Sequence, residues 1–237
     1  MKYWTYLEIR TKVRKDLGIE QEDFITADEL KGYCNMAIDD AESEIHSIYE
    51  DYFLTDTPMA TVADQASYEM PDDIYANKIR ALIYTLGSEV YPITRFANMA
   101  NLFEAIEADK LSTSSVYRYH LTNRSAVSGV KIQLTPVPRI SAANMILYYI
   151  RNANRMEDDT SLCDIPEFVD YVIQFMKVRC YEKEGHPTLS TAIGMLEYKK
   201  KNMINTLSNM VPDDDNILDQ DTSFYWDMGG NLEVNQY

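Results

Sequence analysis

Long apolar runs are missing from this sequence. The longest, Met145 to Ile150, has six residues, where about 20 are needed to cross a bilayer, so no transmembrane helix is expected. Cysteine is scarce as well: Cys34, Cys163 and Cys180 are odd in number and never closer than 17 residues. That spacing excludes a CxxC redox pair and a zinc ribbon and leaves reduced, buried thiols. The eight glycines fit neither GxGxxG nor GxxxxGK, so no loop is on hand to cradle a phosphate. Positive charge is short, with 22 Lys and Arg against 38 Asp and Glu and a net charge of -16. Gripping nucleic-acid phosphates requires clustered cations that release counterions, so the expected macromolecular partner is protein. The first residues, Met1 to Trp4 followed by Glu8, Arg10, Lys12, Arg14 and Lys15, show neither an apolar signal core nor a small-residue cleavage site. The expectation is a protein retained in a cytoplasm.

What is present is an ordinary globular mixture, 46% hydrophobic and 25% charged over 237 residues, long enough to bury a core as one elongated domain or two small ones. Tyrosine (18) and methionine (12) are plentiful, and both serve interfaces as well as cores.

Chemistry-bearing motifs do not assemble. His46, His120 and His186 fall on different expected elements without HExxH, and no GxSxG elbow occurs. Asp213 to Asp221 fails the calcium-loop template, because Ile217 stands at position five and no glycine follows for the sharp turn. No cofactor and no metal are expected. Acid pairs such as Glu42 with Glu44 and Asp158 with Asp159 keep a hydrolase open as an alternative. Lys199, Lys200 and Lys201, the sole basic run, fan around a helix rather than forming a binding stripe.

Periodicity organises the chain. Residues 3 to 17 have helical spacing, with Trp4, Leu7, Val13 and Leu17 near one face and Gly18 placed to cap. Thr26 to Glu29 reads as a capping box opening a long amphipathic helix over 26–53 along Leu30, Cys34, Ile38, Ala41, Ile45 and Tyr52. Strands are expected at 61–70, 78–86, 90–95, 116–122, 130–135 and 145–150, with a hairpin at Gly87-Ser88, a short helix over 97–110, and 145–150 central in its sheet because it is apolar on both faces. Helix returns at Pro166, along Val169, Val172, Ile173, Met176 and Cys180 to Gly185, and again over 188–210 along Leu189, Ile193, Leu196, Met203, Leu207 and Met210. The expected fold is α+β, mainly an α-helical bundle with an inserted antiparallel β-rich region and an extended acidic C-terminal tail. Its parts are 1–58 (N-terminal helices), 59–163 (insertion), 164–211 (C-terminal helices) and 212–237 (tail), the tail holding seven acidic residues and no Lys or Arg.

Three stretches carry a resemblance: TVADQASYEMPDD (61–73) followed by KIRAL (78–82); VKIQLTPVP (130–138) followed by MILYYIRN (145–152); and DIPEFVDYVIQFMKVRCYEKEG (164–185). Over roughly residues 1 to 210 the chain resembles the head-to-tail adaptor, or tail accessory, proteins of short-tailed bacteriophages, and its Tyr, Asp and Asn content is similar to that of the ring proteins of crAss-like phages. The resemblance implies a non-enzymatic structural virion protein at the portal vertex, made in the host cytoplasm and assembled in about twelve copies under the portal ring. It also implies contacts with the portal and other tail or ring proteins, DNA passing through the channel without specific binding, no membrane, and a C-terminal extension reaching the portal or a neighbouring subunit. The residues expected to make that last contact are Phe224, Tyr225 and Trp226, a triplet of anchors in an acidic tail, with Asp219 and Asp221 beside them. A phage cell-wall hydrolase and a non-viral soluble interaction adaptor are the alternatives.

Overall fold

Thr5 and Glu8 close a reciprocal capping box, Glu8 N–H donating to Thr5 Oγ1 at 3.2 Å and Thr5 N–H to Glu8 Oε2 at 3.0 Å, and so start helix α1 (Tyr6–Leu17). Gly18 stops it in the left-handed region, φ 67°. The buried face of α1 is Tyr6, Ile9 and Val13, while Leu7 is exposed. Val13 is inside as expected, but Tyr6 and Ile9 take the place of Leu7: the Tyr6 hydroxyl donates to Ala27 O at 3.1 Å, and this pins the helix with its tyrosine inward. A computed structural model describes residues 2–19, 24–96, 98–109, 117–125, 129–139, 141 and 144–211.

Thr26 caps α2 (Ala27–Ile48) with the same reciprocal box, and Leu30, Cys34, Ala37, Ile38, Ala41 and Ile45 are buried at three- and four-residue steps. The helix ends at Ile48, short of the expected 53. Glu50–Phe53 is a 3-10 turn, and the chain then runs straight into strand β1 (Leu54–Ala60). Helix returns after the 3-10 turn Pro166–Phe168 as α4 (Val169–Glu184), followed by α5 (Leu189–Met210). Apolar residues surround α4, and Tyr171, Phe175 and Val178 are buried in addition to the expected stripe. A helix covered on all sides sits in the middle, and α4 packs against α1, α2 and α5. Helix α5 lies at the margin: Ala192, Met203 and Leu207 are buried, but Ile193, expected inside, is exposed.

Two compact units result, one from the described residues of 2–49 and 155–211, the other Glu50–Asn154. The second is a sandwich of two sheets with strand orders β1-β8-β3-β4 and β2-β7-β6-β5. The further elements are β2 (Ser67–Glu69), β3 (Ile74–Leu86), β4 (Glu89–Pro92), β5 (Thr94–Arg95), α3 (Met99–Asp109), β6 (Arg118–Ser125), β7 (Gly129–Thr135) and β8 (Asn144–Arg151). Tyr68, Tyr84, Tyr119, Ile132, Leu134 and Leu147 are among the side chains filling the space between the sheets.

The hairpin at Gly87-Ser88 forms, with Gly87 at φ 65° and Leu86 opposite Glu89. Strand β8 is central, flanked by β1 and β3. The expected strand 90–95 is two strands in different sheets. Pro92 has no N–H to continue the first ladder, Ile93 donates its N–H to Leu82 O at 2.7 Å and enters the core, and Thr94–Arg95 pairs parallel with β6. The insertion thus includes one parallel pair where an antiparallel arrangement was expected.

Candidate functional site

Asp219, Asp221, Phe224, Tyr225 and Trp226 lie outside the described residues. Among the described residues the other chemistry-bearing side chains are dispersed, and most are engaged, although the buried Nδ1 of His120 has no hydrogen-bond partner. The three thiols are buried, and desolvation raises Cys34 and Cys180 to about 12 and Cys163 to about 11, so they are poor nucleophiles. His186 Nδ1 lies 2.7 Å from the Thr188 hydroxyl, and its ring stacks on Tyr181. His120 packs edge-to-face with Phe96, and desolvation lowers its pKa. On α2, His46 Nε2 lies 3.8 Å from Glu42 Oε1, while Arg155 donates to Glu42 Oε2 at 2.8 Å and also pairs with Asp39. Among the described residues no His, Cys, Asp and Glu group is arranged to hold a metal ion, and no helix is long and apolar enough to cross a membrane.

Among the described residues, the carboxylates whose pKa moves go down, the reverse of what a general acid needs. Lys78 and then Arg80 hold Glu50 low, and the Thr160 hydroxyl and backbone hold Asp158 low. Burial works against Asp16, yet Lys12 and Lys177 keep it depressed. The basic run is likewise tied in: Lys199 reaches Asp170 at 3.5 Å, and Lys200 bridges Asp40 at 3.2 Å and Glu44 at 2.8 Å, where Tyr171 also donates to Asp40. Lys200 is thus a strut between α5 and α2, a role its place in a surface run did not reveal.

Extended apolar surface is what remains. Alongside α4 and α5 runs a cleft of mixed character, about 400 Å³, lined by Phe168, Met195 and Met203 and equally by Glu167, Asp170 and Asn202. A second, of about 200 Å³, is lined by Phe175, Val178, Leu189, Ile193 and Leu196 with Arg179 and Glu182. Met195 and Tyr198 are exposed along this side of α5.

The first sheet carries another apolar surface on the side away from the sandwich core. Strand register sets it out in rows: Asp56, Tyr148 and Ala81; Pro58, Ile146, Ile83 and Pro92; Ala60, Asn144, Thr85 and Val90. Leu54 extends it at one end, opposite Ile150. Leu54 is 46% and Val90 60% exposed, and Asp56 is the only charged residue in these rows. On the far side of the sandwich, Phe96 packs against Arg118 and His120 on the outer face of the second sheet, and α3 follows it close to β7. Leu102 of α3 is buried, whereas Phe103 (60%) and Ile106 (39%) are exposed.

A family model described as SU10 adaptor protein matches residues 4–219. Among curated proteins, none matches the chain.

Proposed function

The chain belongs to the SU10 adaptor protein family, which makes it a bacteriophage structural adaptor and a virion component, and from this we propose that it forms a ring that joins portal to tail. About twelve copies under cyclic symmetry would continue the DNA channel from the portal toward the tail proteins beyond. One observation carries this reading: the match runs over 4–219 and so takes in both the helices and the sandwich, most of the chain rather than a shared fragment. Charge supports it. A channel wall built from subunits at -16 each presents mostly like charge to passing phosphates, so DNA moves without sticking.

Within this reading the tail is the portal-facing or neighbour-facing anchor. Phe224, Tyr225 and Trp226 fill a pocket on the partner, while Asp219 and Asp221 lie along basic surface. Buried aromatics dominate interface energy, and rim charges mainly steer the encounter. Co-sedimentation with portal-bearing capsids tests both levels. The full chain should co-sediment and show ring density by cryo-electron microscopy, and a chain truncated after Met210 should stay folded but remain in the supernatant. Equal incorporation of the two removes the anchoring role, and no incorporation of either removes the ring.

A further inference from the structure

We propose that the smaller groove between α4 and α5 seats the tail of the same chain, with the triplet Phe224, Tyr225 and Trp226 in it, until a partner draws the tail away. The proposal concerns the free chain and goes beyond the ring reading: the anchors have two seats in turn, this groove in the unassembled subunit and the partner's pocket in the particle.

The groove has the form of a slot for an aromatic ring. Phe175 and Val178 of α4 make its buried floor, Leu189, Ile193 and Leu196 of α5 make its wall, and its volume is about 200 Å³. Pockets for small-molecule ligands begin at about 300 Å³, so this one suits a single side chain better. Ile193, 40% exposed, is the part of the wall left open to water. At the rim Arg179 lies over the Phe175 ring, 5.1 Å from its centroid, and pairs with Glu182 at 2.8 Å. An arginine beside an apolar slot fits an aromatic residue that has a carboxylate next to it in sequence, because the guanidinium stacks on the ring and pairs with the acid.

Three observations name the tail as the occupant. The first is sequence: residues 223–227 read SFYWD, three aromatic rings directly before Asp227, and no other aromatic triplet occurs in the chain. Reach is the second. Val211, just past the end of α5, stands 18 positions beyond Ile193, about 27 Å at helical rise. The 15 residues from Val211 to Trp226 extend to about 50 Å, so the tail can turn after Pro212 and come back along α5 with length to spare. Charge is the third. Helix α5 carries Lys199, Lys200 and Lys201 against Glu197 alone, while the tail has seven acids and no base. Lys199 and Lys200 are held by acids of α4 and α2, but Lys201 is exposed and makes no ion pair among the described residues. Asp213, Asp214 and Asp215 pass it on the way back. The acidic excess of the helices sits on α2 instead, with six Asp and Glu to one Lys.

The tether decides between this tail and another molecule's. A segment joined by a linker of this length meets its own groove at an effective concentration on the order of millimolar, which separate subunits do not match by encounter. A partner displaces the tail only by offering a larger buried interface than one slot provides. In the unassembled chain the triplet is thus covered, and subunits do not stick to one another through it before the portal is present.

Cross-linking within the purified full chain, without portal, is the test. Glu182 stands at the rim of the groove, Ser223 adjoins the triplet, and the native thiols are buried, so a Glu182→Cys/Ser223→Cys chain offers only its two new thiols. A short bismaleimide should close this chain on itself, seen as a monomeric band of faster mobility, in roughly tenfold higher yield than in a Leu7→Cys/Ser223→Cys control whose first thiol lies on the exposed side of α1. Adding Lys201→Glu, or raising the salt, should cut the yield several-fold. Phe224→Ser, Tyr225→Ser and Trp226→Ser together, a change that leaves α4 and α5 untouched, should bring it down to the control. Equal yields from the double variant and the control, or a yield that the serine triplet leaves unchanged, overturns the proposal. Cross-linked dimers in place of the closed monomer overturn it as well, since they put the tail on a second copy. None of these outcomes touches the ring reading, because no portal is present; that reading stands or falls on co-sedimentation.

Discussion

Single side chains in this protein act mostly as ties between segments distant in sequence. Asn35 on α2 donates to Met156 O at 3.2 Å and accepts from Met156 N–H at 2.8 Å, so one amide fixes the returning chain against a helix residue 121 positions earlier. In the sandwich, Glu50 receives both Lys78 and Arg80. The pairing gives a signed pH dependence. Lys78 first, with Arg80, holds the Glu50 pKa below its ordinary 4.5, so the tie contributes above that value and is lost as pH falls through the lower folded-state pKa. The groups are partly solvated, and a surface pair of this kind is worth about 0.5 kcal/mol. Glu50→Gln should therefore lower the thermal midpoint slightly at pH 7, and the gap between variant and parent should narrow as pH falls below 4.5 and close once Glu50 is protonated in the folded state. A gap that does not narrow at all on acidification assigns the effect to packing rather than charge.

At the scale of elements, helix starts are the features written most plainly in the sequence. Thr26 caps α2 as its box predicts, and Thr26→Ala should cost about 1 kcal/mol, read as a lower urea midpoint at unchanged slope. The Gly87-Ser88 turn and the central place of β8 were equally legible, since a left-handed glycine and an apolar run on both faces each have one ready explanation. Ends set by distant partners were not. Ile48 and Tyr52 continue the α2 spacing, but β8 recruits residues 54–60 as a strand, and a local period cannot register a ladder formed with residues 144–150. Strand β1 reads LTDTPMA, polar and proline-bearing, the composition of an edge rather than of a recognisable strand. The outer face of the first sheet was hidden for a related reason. Its members come from four separate strands, and only their register places Ile83, Ile146 and Pro58 side by side. The aromatic triplet Phe224, Tyr225 and Trp226 lies outside the described residues.

For the whole molecule the decisive property is where charge sits. The near-neutral sandwich contrasts with the remaining residues, which hold most of the -16. Duplex DNA should accordingly show no salt-sensitive submicromolar binding to the assembled protein in an anisotropy titration; such binding would mean that a basic surface, not repulsion, lines the passage. The sandwich also has a simple connection to the helices. Leu54 pairs with Ile150, so the chain leaves the end of α2 and comes back toward Arg155 through two neighbouring antiparallel strands. To the helices, the long excursion from Glu50 to Asn154 closes as if it were one tight turn, which is the geometry that lets an inserted body be exchanged without retuning its host.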